Sequence, residues 1–463
     1  MLFAPLGATH DIGASCHYLE IEGTGLLLDA GMDPDLEGSE AVPDLSTITR
    51  DPDRFVDHII VTHAHHDHLG SLPVLMKMFP HARIHMTPVT RRLADLLLPA
   101  SARLQKRRLY EGSSVAQPVF DADDVEAASY LYDQHDFGDV FDVTGVRARS
   151  PLSACFHYSG HILGAAGVEV FCEDGPDQRR FFYSSDTNVQ GQTIIPGGDY
   201  PDDVDILVLE STTGSDGVAE TVTRRSEERR LGEAMARVID RGGSVLVPVF
   251  ALGRAQEILA LIDRFKHRGI LPVDVPVYTA GSMRAVAELY DDTRYSTPRL
   301  NSDFEVYGVE QRRLPRSQRG KVEAVQASGI FVLASGMMFE RTPSNELGQL
   351  MIDDEKHGVF FVGFAREESP GGRLLGAAAA GEEFTVLDRL RGEQRIFASV
   401  DRFRLSGHSH RRDLLELVNR LKPKQVILVH GESRSIEWMA DNIRFFDPGI
   451  TVHVPESGRT IEL

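Results

Sequence analysis

Residues Thr62–Gly70 bring His63, His65, His66, Asp67 and His68 together within six positions, directly after the apolar β-branched run Ile59-Ile60-Val61. That order predicts a buried strand running into a loop, with a helix beginning over Leu69–Met78. Side chains two apart in an extended segment share a face. His63, His65 and Asp67 can therefore converge, while His68 can turn towards a second centre as the helix begins. His66 lies off that face and reads as an ordinary loop residue. Neutral imidazoles and a carboxylate suit zinc, and less selectively iron or manganese. Such clusters have little structural use without a metal, so the fold must present a metal loop at the end of a buried strand.

The rest of the chain supplies candidates at other strand ends. Residues 14–28 alternate and turn at Glu22-Gly23-Thr24-Gly25, as a hairpin does. Its second strand, Leu26-Leu27-Leu28, delivers Asp29, which either orients a metal ligand or its loop or is an ordinary turn aspartate. His161 sits in the glycine-rich stretch Tyr158–Gly167 between two expected strands, where close backbone approach is allowed. Gly167–Cys172 and Arg179–Ser184 read as a hairpin around Asp174-Gly175-Pro176-Asp177. The second of these strands leads to Asp186, an anionic donor of the kind that bridges two cations. The strand Asp205–Leu209 ends in Glu210, so carboxylates follow three strand ends in succession.

From Thr212 the character changes. A charged helix, Ala219–Asp240, stops at Gly242-Gly243. Strand-like runs Ser244–Phe250, Val275–Ala280, Ile330–Ala334 and Val359–Phe364 then alternate with helices, which implies a mostly parallel sheet covered by helices. This domain is inserted before the first is complete. The first resumes near residue 391: Ser406-Gly407-His408 precedes a helix, strand Gln425–Val429 delivers His430-Gly431-Glu432, and a hairpin over Ile450–Leu463 closes the sheet. The expected parts are 1–211, 212–390 and 391–463.

The H-x-H-x-D-H pattern resembles the metallo-β-lactamase superfamily, whose αββα sandwiches carry two metals at one edge of the paired sheets. Further stretches are similar to its β-CASP branch, which processes nucleic acids: Leu209-Glu210-Ser211-Thr212, Val249–Glu257 with its Gly-Arg-Ala-Gln-Glu, Ala334-Ser335-Gly336-Met337-Met338, Ser406-Gly407-His408 and Leu428–Glu432. The likeness is nearest to the RNA-processing members related to the messenger-RNA 3′-end cleavage endonuclease. It implies an α/β chain, an αββα sandwich with an inserted β-CASP domain. It also implies one zinc on His63, His65 and His161 and another on Asp67, His68 and His430, with Asp186 bridging and a hydroxide completing the pair. Glu210 would hold His408 as an acid for the leaving oxygen, and Asp29 would support the ligands. DNA-repair members usually carry an aliphatic residue in place of His430, so this histidine favours RNA.

The function so implied is a zinc-dependent ribonuclease acting on single-stranded RNA and leaving 5′-phosphate and 3′-hydroxyl ends, with manganese or iron as other metals. Arg254 and Ser335 are candidates for substrate-phosphate contacts. Two stretches depart from the family: His410 stands where an aspartate is common, and Glu368–Leu374 replaces a Gly-Thr-Leu-like segment. Both bear on substrate choice. A small-molecule hydrolase of lactamase or thioester type would explain the ligands but not the inserted domain, Glu210 or His408. A di-iron oxidoreductase usually has Glu where His65 stands. A scaffold subunit of an RNA-processing complex normally loses ligands, and here all are present.

The formal charge of −20 counts against general nucleic-acid affinity, although screening makes the field local. Basic clusters lie at Arg91-Arg92, Arg103–Arg108, Arg224–Arg230 and Arg312–Lys321, each reading, taken singly, as a solvated helix face or loop. Apolar runs such as Gly358–Ala365 are strand-sized, which predicts no membrane partner. Met1–Gly7 lacks signal-peptide features. Cys16, Cys155 and Cys172 have neither metal spacing nor a disulfide framework, as expected of core thiols in a reducing cytoplasm. A homodimer is left open.

Overall fold

The computed structural model describes residues 1–112, 114–172 and 178–463. Leu19 and Ile21, Leu26 and Leu28, and Ile60 alternate along their strands and are buried on a common face, the period-two pattern of a strand that packs one side. They belong to a seven-stranded sheet in the order Ile461–Glu462, Leu2–Pro5, His17–Ile21, Thr24–Leu28, His58–Ile60, Arg83–Met86, Tyr132–Gln134. A second seven-stranded sheet runs Thr451–His453, Gln425–Val429, Ile206–Glu210, Phe181–Tyr183, Ala166–Phe171, Ser153–Tyr158, Val140–Asp142. Phe156, Val168, Phe181 and Val208 of the second sheet join Phe3, Leu19 and Leu28 of the first in one core. Helices Arg411–Leu421 and Ser433–Phe446 cover the other face of the second sheet through Leu414, Leu417, Ile436 and Met439. Helices Leu72–Met78, Pro88–Tyr110 and Ala122–Ser129 pack together beside the first sheet. These layers form the expected αββα sandwich.

The sandwich is one compact unit, residues 1–190, 197–217 and 408–463. Its first hairpin turns through Glu22 and Gly23, both at positive φ (50° and 83°), the pair of left-handed residues that a two-residue turn between twisted strands needs. Ala166–Phe171 pairs antiparallel with Phe181–Tyr183, while the expected turn at Asp174–Asp177 lies outside the described residues. The expected C-terminal hairpin over Ile450–Leu463 does not form. Thr451–His453 lies parallel to Gln425–Val429 in the second sheet, and Ile461–Glu462 antiparallel to Leu2–Pro5 in the first. Pro455 and Gly458 break the extended run between them, and the Gly458 N–H donates to the Pro5 carbonyl at 2.7 Å, so each half completes a different sheet edge.

The other unit comprises residues 191–196 and 218–407. Its six-stranded sheet, in the order Arg312–Arg313, Val277–Thr279, Ile330–Leu333, Val245–Pro248, Gly358–Phe361, Ser399–Arg402, is parallel throughout. Leu246, Phe331, Leu333, Met351, Phe361 and Leu374 fill its core. Gly242 (φ 75°) follows the helix Arg224–Asp240. The sequence placed the junctions at 211/212 and 390/391. In the structure the second unit begins after Gly217 and runs to Gly407, because Ser399–Arg402 pairs with Gly358–Phe361. Glu257 ties in the short segment 191–196 by accepting the Ile194 and Ile195 N–H groups at 3.0 and 3.1 Å.

Two adjacent strands of the first sheet and the residue that follows a third carry a chain of imidazoles. His58 Nδ1 lies 2.9 Å from His85 Nε2, and His85 Nδ1 lies 3.0 Å from His135 Nε2. Burial, followed by the neighbouring His58, His135 and Arg83, pushes His85 down to about 2. An unfolded imidazole takes up a proton below about 6.5, so between these values the unfolded chain binds more protons and stability falls as the pH drops. At pH 5 this one site is expected to cost about 2 kcal/mol relative to pH 8. Urea titrations of the wild type and His85→Leu at both pH values check it, since the variant should lose less stability on acidification.

Candidate metal centre

The metal loop follows the parallel strand His58–Ile60, and two further strand ends deliver groups beside it. His63 and His65 are extended, and the helix begins at His66 with His65 at its N-cap position (ψ 152°). This start, three residues earlier than the sequence implied, swings Asp67 and His68 into the first turn. Asp67 therefore does not share a face with His63 and His65. His63, His65, His161 and Asp186 each bring one ligand atom within 4.8 Å of the others, and Asp67, His68 and His430 form a second such group. His66, outside both, is exposed.

Asp186 faces both groups with different oxygens. Its Oδ2 lies 3.7 Å from His63 Nε2 and 3.4 Å from His161 Nε2. Its Oδ1 lies 3.4 Å from His68 Nε2 and 3.3 Å from His430 Nδ1. His430 Nε2 is 3.5 Å from Asp67 Oδ2, and His161 Nε2 is 3.1 Å from His65 Nδ1. Burial opposes the charge on Asp186, yet His430, His68, His408 and His161 hold it well below the usual carboxylate range. Burial, then His68, holds His63 well below the ordinary imidazole range, which keeps it neutral, as a ligand must be. Donors bound to zinc at 2.0–2.1 Å in a tetrahedron stand about 3.3 Å apart. The separations above match that edge, and the buried His63 Nε2 and Asp186 Oδ1 have no hydrogen-bond partner. The donor set fits metal.

A fully buried Asp29 organises the loop. It accepts from the Thr62 N–H at 2.8 Å, the Thr62 hydroxyl at 2.8 Å, the Tyr183 hydroxyl at 2.9 Å and His68 Nδ1 at 2.8 Å. The His68 bond commits the Nδ1 proton and aims Nε2 at Asp186. Gly31 lies under the loop, where a Cβ would stand 1.9 Å from the Asp67 carbonyl oxygen. Asp29 (φ 66°), Ser185 (φ 50°) and His430 (φ 51°) each follow a strand and occupy the left-handed region, a conformation that costs a residue with a side chain roughly 1–3 kcal/mol and is concentrated at functional sites. The sequence did not point to Thr62, Tyr183, Ser185 or Thr212, although Tyr183 and Ser185 stand within three residues of Asp186. Thr212 Oγ1 lies 3.0 Å from His430 Nδ1.

His408 lies beside the cluster, its Nε2 4.0 Å from Asp186 Oδ2. Its Nδ1 stands 3.0 Å from Glu210, which also accepts the Thr187 N–H at 2.9 Å. Burial works against the imidazolium, but Glu210 and Asp186 outweigh it and push His408 up to about 9. His410 stands at the N-cap position of the helix Arg411–Leu421, with no capping hydrogen bond from its side chain. Within the second unit Arg254 is 7% exposed, its Nη2 donating to Gln192 at 2.7 Å while Nη1 is buried without a partner. Ser335 accepts the Phe339 N–H on its hydroxyl at 3.1 Å. Ser369, in the stretch that departs from the family, caps the helix Pro370–Ala380 by accepting the Gly372 N–H.

A two-sheet sandwich with imidazoles and carboxylates gathered at its strand ends defines the metallo-hydrolase class. Three family models match successive parts of the chain: the metallo-beta-lactamase superfamily over 11–165, the Beta-Casp domain over 255–374, and the Zn-dependent metallo-hydrolase RNA specificity domain over 393–455. The chain belongs to the β-CASP branch of the metallo-β-lactamase superfamily. It is 29% identical to cleavage and polyadenylation specificity factor 73 of Drosophila melanogaster, over 96% of this chain and 63% of that protein. It is 28% identical to an RNase J-like protein of Methanocaldococcus jannaschii, over 92% and 91% of the two chains. With Integrator complex subunit 11 of Danio rerio it shares 26% identity over 98% and 73%. A protein of unknown function from Enterococcus faecalis V583 has the same fold, with a TM-score of 0.55 at 13% identity over 100% and 99% of the two chains. Among the described residues no helix is long and apolar enough to cross a membrane.

Proposed function

We propose that this chain is a zinc-dependent ribonuclease that hydrolyses phosphodiester bonds of single-stranded RNA in processing or decay, leaving 5′-phosphate and 3′-hydroxyl ends. The observation that carries the reading is Asp186, whose two oxygens face two separate imidazole groups, with the His408–Glu210 pair beside them. The names of two relatives, a cleavage and polyadenylation specificity factor and an RNase J-like protein, support RNA over a small-molecule ester.

His63, His65 and His161 would hold one ion and Asp67, His68 and His430 the other, with Asp186 shared. Two zinc ions held there would supply a water of lowered pKa and would offset the charge that builds on the phosphoryl oxygens. Asp67 would orient the attacking water through its half-buried carboxylate. His408, donating Nδ1–H to Glu210 and favoured by it as the imidazolium, would give its Nε2 proton to the leaving ribose oxygen. The P–O3′ bond breaks as the water oxygen joins phosphorus, so the proton ends on the 3′-hydroxyl and the phosphate stays on the 5′ side. Asp29 would hold His68 in register, and Arg254 and Ser335 would serve substrate phosphates.

The test is cleavage of 5′-labelled single-stranded RNA, beside matched DNA, by zinc-loaded, chelated and zinc-restored protein. RNA cutting that disappears on chelation and returns with zinc is the expected result. No cutting by protein carrying its metal, with turnover of a thioester or lactam instead, overturns the reading.

A further inference from the structure

Helices Arg224–Asp240 and Arg254–His267 of the second unit pack together, and between the start of one and the end of the other lies a pocket of about 470 Å³. Its walls carry Arg225 and Arg229 from the first helix and Arg264 and Arg268 from the end of the second. Each pair is spaced i, i+4, so each places two like charges side by side on one helical face, an arrangement that destabilises a helix unless something offsets it. Glu228 is the one acidic residue lining the pocket, and Arg264 and Arg224 already share it, at 2.5 and 3.3 Å. Arg225, Arg229 and Arg268 are exposed and have no carboxylate partner among the described residues. Arg264 Nε is buried there without an acceptor.

The chain as a whole carries a formal charge of −20, so a concave site with four arginines and one spent carboxylate stands apart from the general surface. The positive end of the 17-residue helix beginning at Arg224 borders the same pocket through Thr223, Arg225 and Ser226 and adds to the attraction for an anion. Guanidinium groups recognise phosphoryl oxygens by paired, charge-assisted hydrogen bonds, and the volume holds more than one phosphoryl group. A carboxylate ligand would use one guanidinium fork and leave the others unpaired.

We infer that this pocket is a phosphate-binding site separate from the metal centre, and that it takes adjacent phosphoryl groups, either of an RNA strand or of a free nucleotide or pyrophosphate. The pocket itself does not depend on the ribonuclease reading; only the strand as its source does.

The test uses the zinc-loaded full chain, its Arg225→Ala/Arg229→Ala/Arg268→Ala variant, and an equal-charge control, Arg313→Ala/Arg316→Ala/Arg319→Ala, on an exposed stretch of the same unit. Calorimetric titration with inorganic pyrophosphate should show a binding event in wild type and control that weakens by about tenfold or more in the pocket variant; one pair of charge-assisted hydrogen bonds accounts for at least that factor. Any pyrophosphate taken up at the metal centre is common to all three proteins. Relief of the like-charge pairs should leave the melting temperature of the pocket variant unchanged or higher, which a purely structural role for these arginines would not.

Fluorescence anisotropy with a labelled single-stranded RNA over a salt series then assigns the source. A log–log salt slope shallower by about 2 in the pocket variant alone corresponds to three lost phosphate contacts at about 0.7 each, and supports the strand. Loss of pyrophosphate binding with an unchanged RNA slope supports a free phosphorylated ligand. If the pocket variant matches the control in both measurements, the inference is overturned.

Discussion

Replacing His408 with alanine is expected to lower kcat on RNA by about 10²- to 10⁴-fold, the range for losing one positioned proton donor, while the metal content stays at the wild-type value. The reason is geometric. His408 Nδ1 is committed to Glu210, and its Nε2 stands 4.0 Å from Asp186 Oδ2, farther than any of the four imidazole nitrogens that face that carboxylate. On the proposed reading it would reach a substrate oxygen beside the cluster without joining either group. Glu210→Gln keeps the shape and removes the charge that favours the imidazolium. Its kcat should fall less than that of His408→Ala, and the alkaline limb of its pH profile should move to lower pH, because the protonated donor is then lost sooner. Single-turnover cleavage across pH, with metal analysis of each protein, checks both. A large loss of metal in His408→Ala would place this histidine among the ligands instead.

Asp186→Asn is expected to have the opposite signature: metal content falls, and activity falls with it by about 10³-fold or more, the scale on which pre-organised charge at a reacting centre acts. The substitution conserves volume, but a neutral amide replaces the one anion facing His63, His161, His68 and His430 at 3.3–3.7 Å. One of the two oxygens becomes an NH2 that donates instead of accepting, so one group would lose its shared oxygen donor, the other would keep only a neutral carbonyl, and the positive charge of two ions would go uncompensated. Thermal melts give a second readout. Metal that binds only the folded state raises the melting temperature of the wild type, so chelation should lower it, and that gap should shrink in Asp186→Asn. His430→Ala should lose part of the metal and most of the activity, since it removes a nitrogen from one group only. Full metal retention by Asp186→Asn would sink the shared-ligand assignment.

Much of this site is local in sequence, and that part was legible. His63, His65, Asp67 and His68 stand within six residues because one strand-to-helix junction carries them, and Asp29, Glu210 and His430 each end an apolar run whose strand character is written in its β-branched and aliphatic residues. The register within the loop was not legible. An extended segment would have set Asp67 beside His63 and His65, whereas a helix starting at His66 turns it to His430. Helix starts respond to backbone contacts made from elsewhere; here the Ala30 N–H takes the His68 carbonyl and the Ser15 N–H takes that of Asp67.

The C-terminal segment shows the same limit. Two short strands with a Pro-Gly connection read equally well as a hairpin or as edges of separate sheets, and only the free edges at Gln425–Val429 and Leu2–Pro5 settle which. The amino-acid sequence by itself determined the chemistry of this protein: the ligand types, their delivery by strand ends, and the two kinds of sheet, since these follow from local periodicity and residue type. The grouping of those ligands and the Glu210–His408 pair came from the family resemblance and not from local periodicity, while the tertiary structure alone decided that Asp186 turns one oxygen to each group, that Asp29 bonds His68, and that two arginine-bearing helices enclose a pocket. Those are relations between residues tens to hundreds of positions apart, and they exist only once packing has brought the strands and helices together.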